Sequence, residues 1–150
     1  MLNSISQTQG FKDFQQVKLI GKGTYGLAFY GYDKEMQCDS AIKLIPSLSS
    51  DFRQFYKSKL LVNFPSLFNN RGIHTIGEGN KLTYFLYSDF YKNGSLDKYL
   101  GTNVLSPTQK TKIIFGTAAA LNFLHSNNII HGHLYPSNIL LDNNMEPKIS

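Results

Sequence analysis

Residues 21–26 read Gly21-Lys22-Gly23-Thr24-Tyr25-Gly26, and residues 41–43 read Ala41-Ile42-Lys43. Apolar side chains alternate with others in residues 17–19, before the glycines, and in residues 27–31, after them. Alternation of this kind is typical of β-strands, and clustered glycines are typical of tight turns. The sequence therefore predicts a β-hairpin with glycine at its tip, followed by a further strand that ends near Ile45.

The glycine pattern alone gives weak support for a nucleotide site, because glycine-tipped hairpins are common. The glycines lie between two predicted strands, which argues against the dinucleotide-binding fold, where they lie between a strand and a helix. Without a Cβ, glycine lets backbone N–H groups approach phosphate oxygens closely. Lys43 strengthens this interpretation, because it shares a strand face with Ala41 and Ile45 and would point inward to meet an anion. The alternative is a strand-edge lysine that extends to water.

One helix is predicted to follow the hairpin strands. Its apolar side chains recur at helical spacing at Phe52, Phe55, Tyr56 and Leu60. Ser49 or Ser50 provides the N-cap, and residues 63–65, Asn-Phe-Pro, provide the stop. This pattern predicts an amphipathic helix that packs on a sheet.

Two further strands are predicted around residues 73–76 and 82–88, with a turn at residues 77–80 between them. Residues 1–13 are polar, and we expect them to form a flexible N-terminus. The first part of the chain is thus predicted to hold a five-stranded sheet with one helix.

The second part of the chain is predicted to be mostly helical, from a boundary near residues 91–93. A short helix is predicted at residues 95–100. A longer helix begins at Ser106 and Pro107, because serine caps helices and proline is favoured at the first helical position, and it is expected to end near Ser126. Its predicted buried face consists of Ile114, Ala118, Leu121 and Leu124. Short strands are predicted at residues 139–141 and 147–149.

The chain has 150 residues, of which 41% are hydrophobic, enough for one globular domain or part of one. Its formal net charge of +5 comes from scattered lysines and arginines, without the basic run or basic helix face typical of nucleic-acid binding. Cys38 is the single cysteine, which indicates a reducing compartment. No stretch approaches the ~20 apolar residues that span a bilayer. We expect a cytoplasmic protein that binds neither nucleic acid nor membrane.

Three histidines, His125, His131 and His133, lie close together in the sequence. Two histidines with one residue between them can bind zinc. The third ligand would then sit at a helix end, and no nearby cysteine or carboxylate has metal-site spacing. The sequence therefore predicts no metal ligands, with a zinc site as the alternative.

Four motifs occur in a fixed order: the glycine-rich hairpin, the Ala41-Ile42-Lys43 strand, residues 88–96 and residues 131–141. Residues 88–96 read Ser-Asp-Phe-Tyr-Lys-Asn-Gly-Ser-Leu, and residues 131–141 read His-Gly-His-Leu-Tyr-Pro-Ser-Asn-Ile-Leu-Leu. From about residue 14 to the end, the chain resembles a eukaryotic-type protein kinase domain of the serine/threonine or tyrosine-kinase-like kind. The resemblance implies an α+β fold. An antiparallel five-stranded N-lobe with one helix would occupy about residues 14–91, and the first, mostly helical part of the C-lobe about residues 92–150.

The resemblance also implies an ATP site. The residues that would cover the phosphates are Ile20, Gly21, Lys22, Gly23, Thr24, Tyr25, Gly26, Leu27 and Ala28. Ala41 would line the site on the next strand, where Lys43 would pair with the α- and β-phosphates. The backbone of Asp89 and Tyr91 would hold adenine, and the small Ser88 would guard the space behind it.

The chain departs from the family pattern at residues that perform the chemistry. Gly132 and His133 stand where the family has arginine and aspartate, so the carboxylate that accepts the substrate hydroxyl proton is missing. Tyr135 replaces the lysine typical of the serine/threonine branch. Asn138 keeps the position of one magnesium ligand. The chain stops at Ser150, just where the family places the metal-binding Asp-Phe-Gly, so magnesium is not expected to be held firmly.

The partner of Lys43 departs from the pattern as well. Counting back from residues 63–65, the helix glutamate that would pair with this lysine falls at Phe55, and the nearest carboxylate is Asp51. Lys43 is therefore expected to depend on bound phosphate.

These departures predict a pseudokinase-like domain that binds ATP weakly and acts through a protein partner. Loss of a general base costs ~10²–10⁴ in rate, and His133 marks the degenerate base position. The alternative is an active ATP-dependent serine/threonine protein kinase fragment, in which His133 takes the proton near neutrality. The early stop also predicts that part of the apolar surface formed by Ile114, Leu121 and Leu124 is exposed or meets a partner.

Overall fold

The computed structural model describes residues 9–23, 26–46, 63–77 and 82–150. The helix predicted from Phe52 to Leu60, with its cap, lies outside this range, as does most of the turn predicted at residues 77–80. The chain divides into two compact units. The first unit comprises Met1–Val62 and Asn70–Phe90, and the second comprises Asn63–Asn69 and Tyr91–Ser150.

Five strands form the sheet of the first unit: β1 (Phe14–Gly23), β2 (Gly26–Asp33), β3 (Cys38–Pro46), β4 (Asn70–Ile76) and β5 (Thr83–Asp89). Neighbouring strands are antiparallel and lie in the order β1-β2-β3-β5-β4. The predicted five-stranded antiparallel sheet is therefore confirmed. The hairpin is confirmed as well, with Gly23 opposite Gly26 at the adjoining ends of β1 and β2.

Both faces of this sheet are apolar, and β3 contributes to each. Ile42 is fully buried on one face, among three phenylalanines. Ile45 is buried on the other face, against Tyr84 and Leu86. Because side chains alternate along a strand, Lys43 lies on the Ile45 face.

Phe11 corrects the prediction for the N-terminus. Its side chain is fully buried, and its ring meets the rings of Phe29 and Phe85 edge-on at centroid distances of 5.1 and 5.2 Å. A 3₁₀ turn at Gln9–Phe11 brings this ring into the core. The expectation that the whole of residues 1–13 is flexible is thus wrong for the segment around Phe11. A single phenylalanine in a polar segment has no periodicity that could reveal its burial.

The second unit contains two helices, two short strands and a 3₁₀ turn. They are α1 (Leu96–Thr102), α2 (Pro107–Ser126), the turn at Pro136–Asn138, β6 (Ile139–Leu141) and β7 (Pro147–Ile149). The pair β6 and β7 is antiparallel, so the two short strands are confirmed. The buried core of this unit contains Leu105, Ile113, Leu141 and Met145. In the described part of the chain, no helix combines the length and apolar character needed to cross a membrane.

The start of α2 is confirmed. Ser106 Oγ accepts a hydrogen bond from the Gln109 N–H at 3.2 Å, and Gln109 Oε1 accepts one from the Ser106 N–H at 2.8 Å. This reciprocal pair is a capping box, and Pro107 occupies the first helical turn. The helix ends at Ser126, as predicted.

The predicted buried face of α2 is wrong except at Leu124. The residues that the fold buries are Ile113, Gly116, Ala120 and Leu124. Of the other predicted residues, Ile114 and Ala118 are exposed and Leu121 is half-buried. The exposed fraction of Ile114 is 69%. This agrees with the separate prediction that part of the apolar surface formed by Ile114, Leu121 and Leu124 is exposed.

Gly116 is the physical reason for this difference. A Cβ on Gly116 would lie 2.5 Å from Cγ of Pro147 and 3.2 Å from Oγ of Ser66, so the helix backbone itself packs against β7. Glycine and alanine are small and only weakly hydrophobic. The prediction therefore assigned the buried face to the larger apolar side chains.

We predict opposite effects for two glycine-to-alanine substitutions in helices. Alanine is favoured over glycine in a helix by about 1 kcal/mol, and a Cβ on Gly101 of α1 meets no atom within 4 Å, so Gly101→Ala raises the free energy of unfolding. Gly116→Ala lowers it by about 1–2 kcal/mol, because overlap with the Pro147 ring outweighs the gain in helix propensity. Urea unfolding of both variants measures the two changes. An equal gain for both would show that α2 and β7 do not pack this closely.

Candidate functional site

The tip of the β1–β2 hairpin requires glycine at position 26. Gly26 has a φ of +149°, and a Cβ on it would overlap the carbonyl oxygen of Leu44 in β3. The start of β2 therefore approaches β3 more closely than any other residue type would allow. Of the predicted phosphate-covering residues, the structure places Ile20, Gly21, Lys22, Gly23, Gly26, Leu27 and Ala28 in β1 and β2, and Thr24 and Tyr25 lie outside the described residues.

Lys43 lies in the strand next to this hairpin. In the sheet register it stands between Ala28 of β2 and Leu86 of β5, and Ala28 is paired in turn with Gly21 of β1. The structure thus places the predicted lysine and two of the predicted phosphate-covering residues in one lateral row on the same face of the sheet. Ala41 shares that face by strand alternation.

The ammonium group of Lys43 is partly removed from water. Burial lowers the pKa of Lys43, because the charged form loses hydration. A bound anion would oppose that effect by stabilising the charged form. This face of the sheet therefore suits a negatively charged ligand.

The end of β5 carries one part of the predicted adenine-binding segment. Ser88 is buried, and its Oγ donates a hydrogen bond to the Ala41 carbonyl at 3.3 Å. Asp89 is paired with Ser40 of β3 and ends the strand. The small side chain predicted at position 88 is therefore held against β3 on the Lys43 face.

Tyr91, the other predicted adenine-binding residue, belongs to the second unit. Its hydroxyl oxygen accepts a hydrogen bond from the Asn69 N–H at 3.3 Å, and its ring lies 5.8 Å from the ring of Phe68. The chain therefore passes from one unit to the other between Phe90 and Tyr91.

The sequence patterns do not single out Arg71, which is largely buried at the same end of the sheet. Only 13% of its side chain is exposed, and its Nε lies 3.2 Å from Oδ1 of Asp89. The strand β4 contains no other Lys, Arg, Asp or Glu, and a buried arginine side chain needs hydrogen-bond acceptors. This is the feature of the sequence that could have drawn attention to Arg71. The acceptors come from two other strands, so the local sequence could not reveal them.

A loop of the second unit brings His131, His133 and Asn138 together. His131 Nδ1 accepts a hydrogen bond from the His133 N–H at 3.3 Å, and Asn138 Nδ2 donates one to the His133 carbonyl at 2.8 Å. Because Nδ1 accepts a hydrogen bond, the ring proton of neutral His131 is on Nε2. Nε2 donates a hydrogen bond to the Ser150 carbonyl at 3.2 Å. Both backbone polar groups of His133 are therefore held by side chains of the loop.

The side chain of His133 is exposed, and its ring meets the Tyr135 ring edge-on, with 5.0 Å between the centroids. Residues 131–138 contain no carboxylate. An imidazole can accept a proton, but it cannot supply the negative charge of a carboxylate. The loop that contains His133 therefore has no acidic side chain.

The zinc alternative finds no support among the described residues. They contain no group of three or more His, Cys, Asp or Glu side chains that could hold a metal ion. Both ring nitrogens of His131 are engaged in hydrogen bonds, and His125 lies in the last turn of α2.

A five-stranded antiparallel sheet followed by a mostly helical unit is the architecture that the family resemblance implies. A family profile described as protein kinase domain matches residues 14–150. The chain belongs to the protein kinase domain family, and the predicted resemblance is confirmed at this level. The match begins at the first residue of β1 and extends through both units.

Individual relatives agree with this assignment. The chain is 35% identical over 149 residues to the putative L-type lectin-domain containing receptor kinase V.8 of Arabidopsis thaliana. The aligned region covers 92% of this chain and 23% of the relative. It is 31% identical over 137 residues to the ankyrin repeat and protein kinase domain-containing protein 1 of Homo sapiens, covering 89% of this chain and 18% of the relative. It is 26% identical over 136 residues to calcium-dependent protein kinase 4 of Plasmodium berghei, covering 87% and 26%. The chain thus spans about a quarter or less of the length of these relatives.

The burial of Lys43 predicts a pH dependence of stability. Its pKa in the folded protein lies below the ordinary value of 10.5, so with rising pH the folded protein releases this proton before the unfolded chain does. The cost of burying the charge is therefore present at pH 7 and is relieved as the pH approaches 10. We expect Lys43→Met to be more stable than the wild type at pH 7, with a difference that shrinks towards pH 10.

Urea unfolding of both proteins between pH 7 and pH 10 measures this difference. Lys110→Met is the control, because Lys110 is exposed on α2 and its substitution removes a lysine without relieving a burial cost. A Lys43→Met difference that stays constant over the same range would contradict the prediction.

Proposed function

We propose that this kinase-family domain binds ATP and has lost most of its phosphoryl-transfer activity, so that it acts by binding a protein partner. The observation that carries the proposal is the loop at residues 131–138. Side chains of the loop hold both backbone polar groups of His133, which stands where the family resemblance puts the base, and the loop contains no carboxylate.

Nucleotide binding is supported by the first unit. Gly26 keeps the hairpin backbone close to β3, and Lys43 lies in the same row of the sheet as Gly21 and Ala28. Phosphate oxygens would accept hydrogen bonds from the hairpin N–H groups and offset the desolvation of the Lys43 ammonium. In this proposal the backbone of Asp89 holds the adenine, with Ala41 lining the site.

Magnesium fits the loop at residues 131–138 poorly. The Nδ2 of Asn138 is used by the His133 carbonyl, which leaves Oδ1 as the one side-chain amide oxygen of the loop that could serve as a ligand. Magnesium in nucleotide sites is usually held by one or two carboxylates together with phosphates, and residues 131–138 supply none.

Phosphoryl transfer is impaired because the group at position 133 has the wrong charge. A carboxylate at the base position orients the substrate hydroxyl and accepts its proton. Neutral imidazole can accept a proton, but it brings no negative charge to orient the hydroxyl and becomes a cation afterwards. Loss of a general base alone lowers a rate by ~10²–10⁴.

A protein partner is supported by α2. Ile114 and Phe115 are 69% and 74% exposed, next to each other on the same helix. Adjacent exposed apolar side chains favour contact with another protein. We also propose that the protein is cytoplasmic, because a single cysteine, Cys38, is typical of proteins from a reducing compartment.

Thermal unfolding with ATP tests the nucleotide site. A ligand stabilises only the state that binds it, so ATP at about 100 times its Kd should add about 2.7 kcal/mol to the wild type. Lys43→Met should lose most of this effect, and the exposed-lysine control Lys110→Met should keep it. The absence of any ATP effect on the wild type, with and without magnesium, would show that the domain does not bind nucleotide.

Transfer of labelled phosphate from ATP to a general protein substrate tests the loss of activity. Because His133 is not proposed to act as a base, we expect His133→Ala to match the wild type within about twofold, at a background rate. The opposite result is a wild type that transfers phosphate and a His133→Ala variant that falls by about 10²-fold or more. That result would establish an active kinase that uses His133.

A further inference from the structure

Arg71 occupies the extra position of a β-bulge in β4. Asn70 is opposite Ser88 and Gly72 is opposite Tyr87, so the register of β4 against β5 shifts at the residue between them. A bulge redirects the side chain of its extra residue. Here it brings a largely buried guanidinium to the end of the sheet where β5 finishes.

The Arg71 guanidinium joins the ends of β3 and β5. Its Nη2 donates hydrogen bonds to the Ser88 carbonyl at 2.7 Å, to Ser40 Oγ at 2.7 Å and to the Asp39 carbonyl at 3.2 Å. Its Nη1 lies 2.8 Å from Cys38 Sγ. These contacts, with the ion pair to Asp89, use the rigid fork of donors that arginine alone provides.

This contact lies on the face of the sheet opposite to Lys43. Ser40 is two residues from Ile42 along β3 and therefore shares its face, and Ile42 is buried in the phenylalanine cluster, away from the Lys43 face. Asp89 is paired with Ser40 and shares its face. Arg71 therefore contacts the backbone of β5 from the face opposite to Lys43, and it would not contact a ligand bound on the Lys43 face.

We propose that Arg71 is a positioning residue for nucleotide binding: it fixes the Ser88–Asp89 end of β5, whose backbone presents hydrogen-bonding groups to the adenine. The inference rests on the proposed function for the identity of the ligand. The constraint on the strand end is a property of the protein alone, and it can be measured without nucleotide.

Amide hydrogen exchange without nucleotide tests the constraint. In Arg71→Met the amides of residues 87–90 should exchange about tenfold faster, because the hydrogen bonds to a charged donor are lost. Amides of β1 and β2 should stay within about twofold of the wild type, which separates a local change from general destabilisation. An unchanged rate at residues 87–90, or an equal increase throughout the sheet, would overturn the inference.

Calorimetric titration with ADP and with tripolyphosphate tests the consequence for binding. Arg71→Met should weaken ADP binding about tenfold and leave tripolyphosphate within about twofold, because the strand end serves the adenosine part of the ligand. Arg71→Lys keeps the charge but lacks the planar fork of donors, so its ADP affinity should lie between those of the wild type and Arg71→Met. It replaces Arg71→Met in the test if the methionine variant does not fold. Thr75→Ala, an exposed change in β4, is the matched control and should bind as the wild type does.

The outcomes separate the two proposals. A wild type that binds neither ligand overturns the proposed function and, with it, the role of Arg71 in nucleotide binding. A wild type that binds ADP, with an Arg71→Met variant that binds it equally well or loses both ligands equally, overturns the role of Arg71 alone.

Discussion

The register of β3 between β2 and β5 is the constraint on which the first unit depends. Ile42 is buried on one face and Ile45 on the other, so a slip of one residue would exchange the two faces and bring each apolar side chain into the wrong layer. Lys43 lies between them, so its face of the sheet is fixed by the packing of Ile42 and Ile45. Its burial disfavours the charged ammonium, and a bound anion would offset this cost by stabilising the charge.

In the second unit, the shape of the histidine loop is independent of the side chain at position 133. The bonds that hold this residue run to its backbone, from Asn138 to its carbonyl and from its N–H to His131. The exposed ring contacts the ring of Tyr135. These two hydrogen bonds do not involve the side chain at position 133, so a substitution there would leave them in place.

Sequence patterns were sufficient where the signal is local. Strand alternation gave the five strands, the glycines gave the hairpin, and Ser106 with Pro107 gave the start of α2. They were insufficient where the partner is distant in sequence. The face of α2 is set by the approach of β7 to Gly116, and the role of Arg71 depends on acceptors from β3 and β5. The roles assigned to the individual site residues remain predictions that binding and activity measurements decide.

The contact between Gly116 and Pro147 has a consequence for how this family member can change over generations. The space for a side chain at position 116 is filled by the proline ring, so a larger residue is accepted there only if position 147 changes as well. The two positions lie far apart in sequence, and substitutions at them are not independent. They form an epistatic pair, in which a substitution harmful by itself becomes tolerable once its partner has changed.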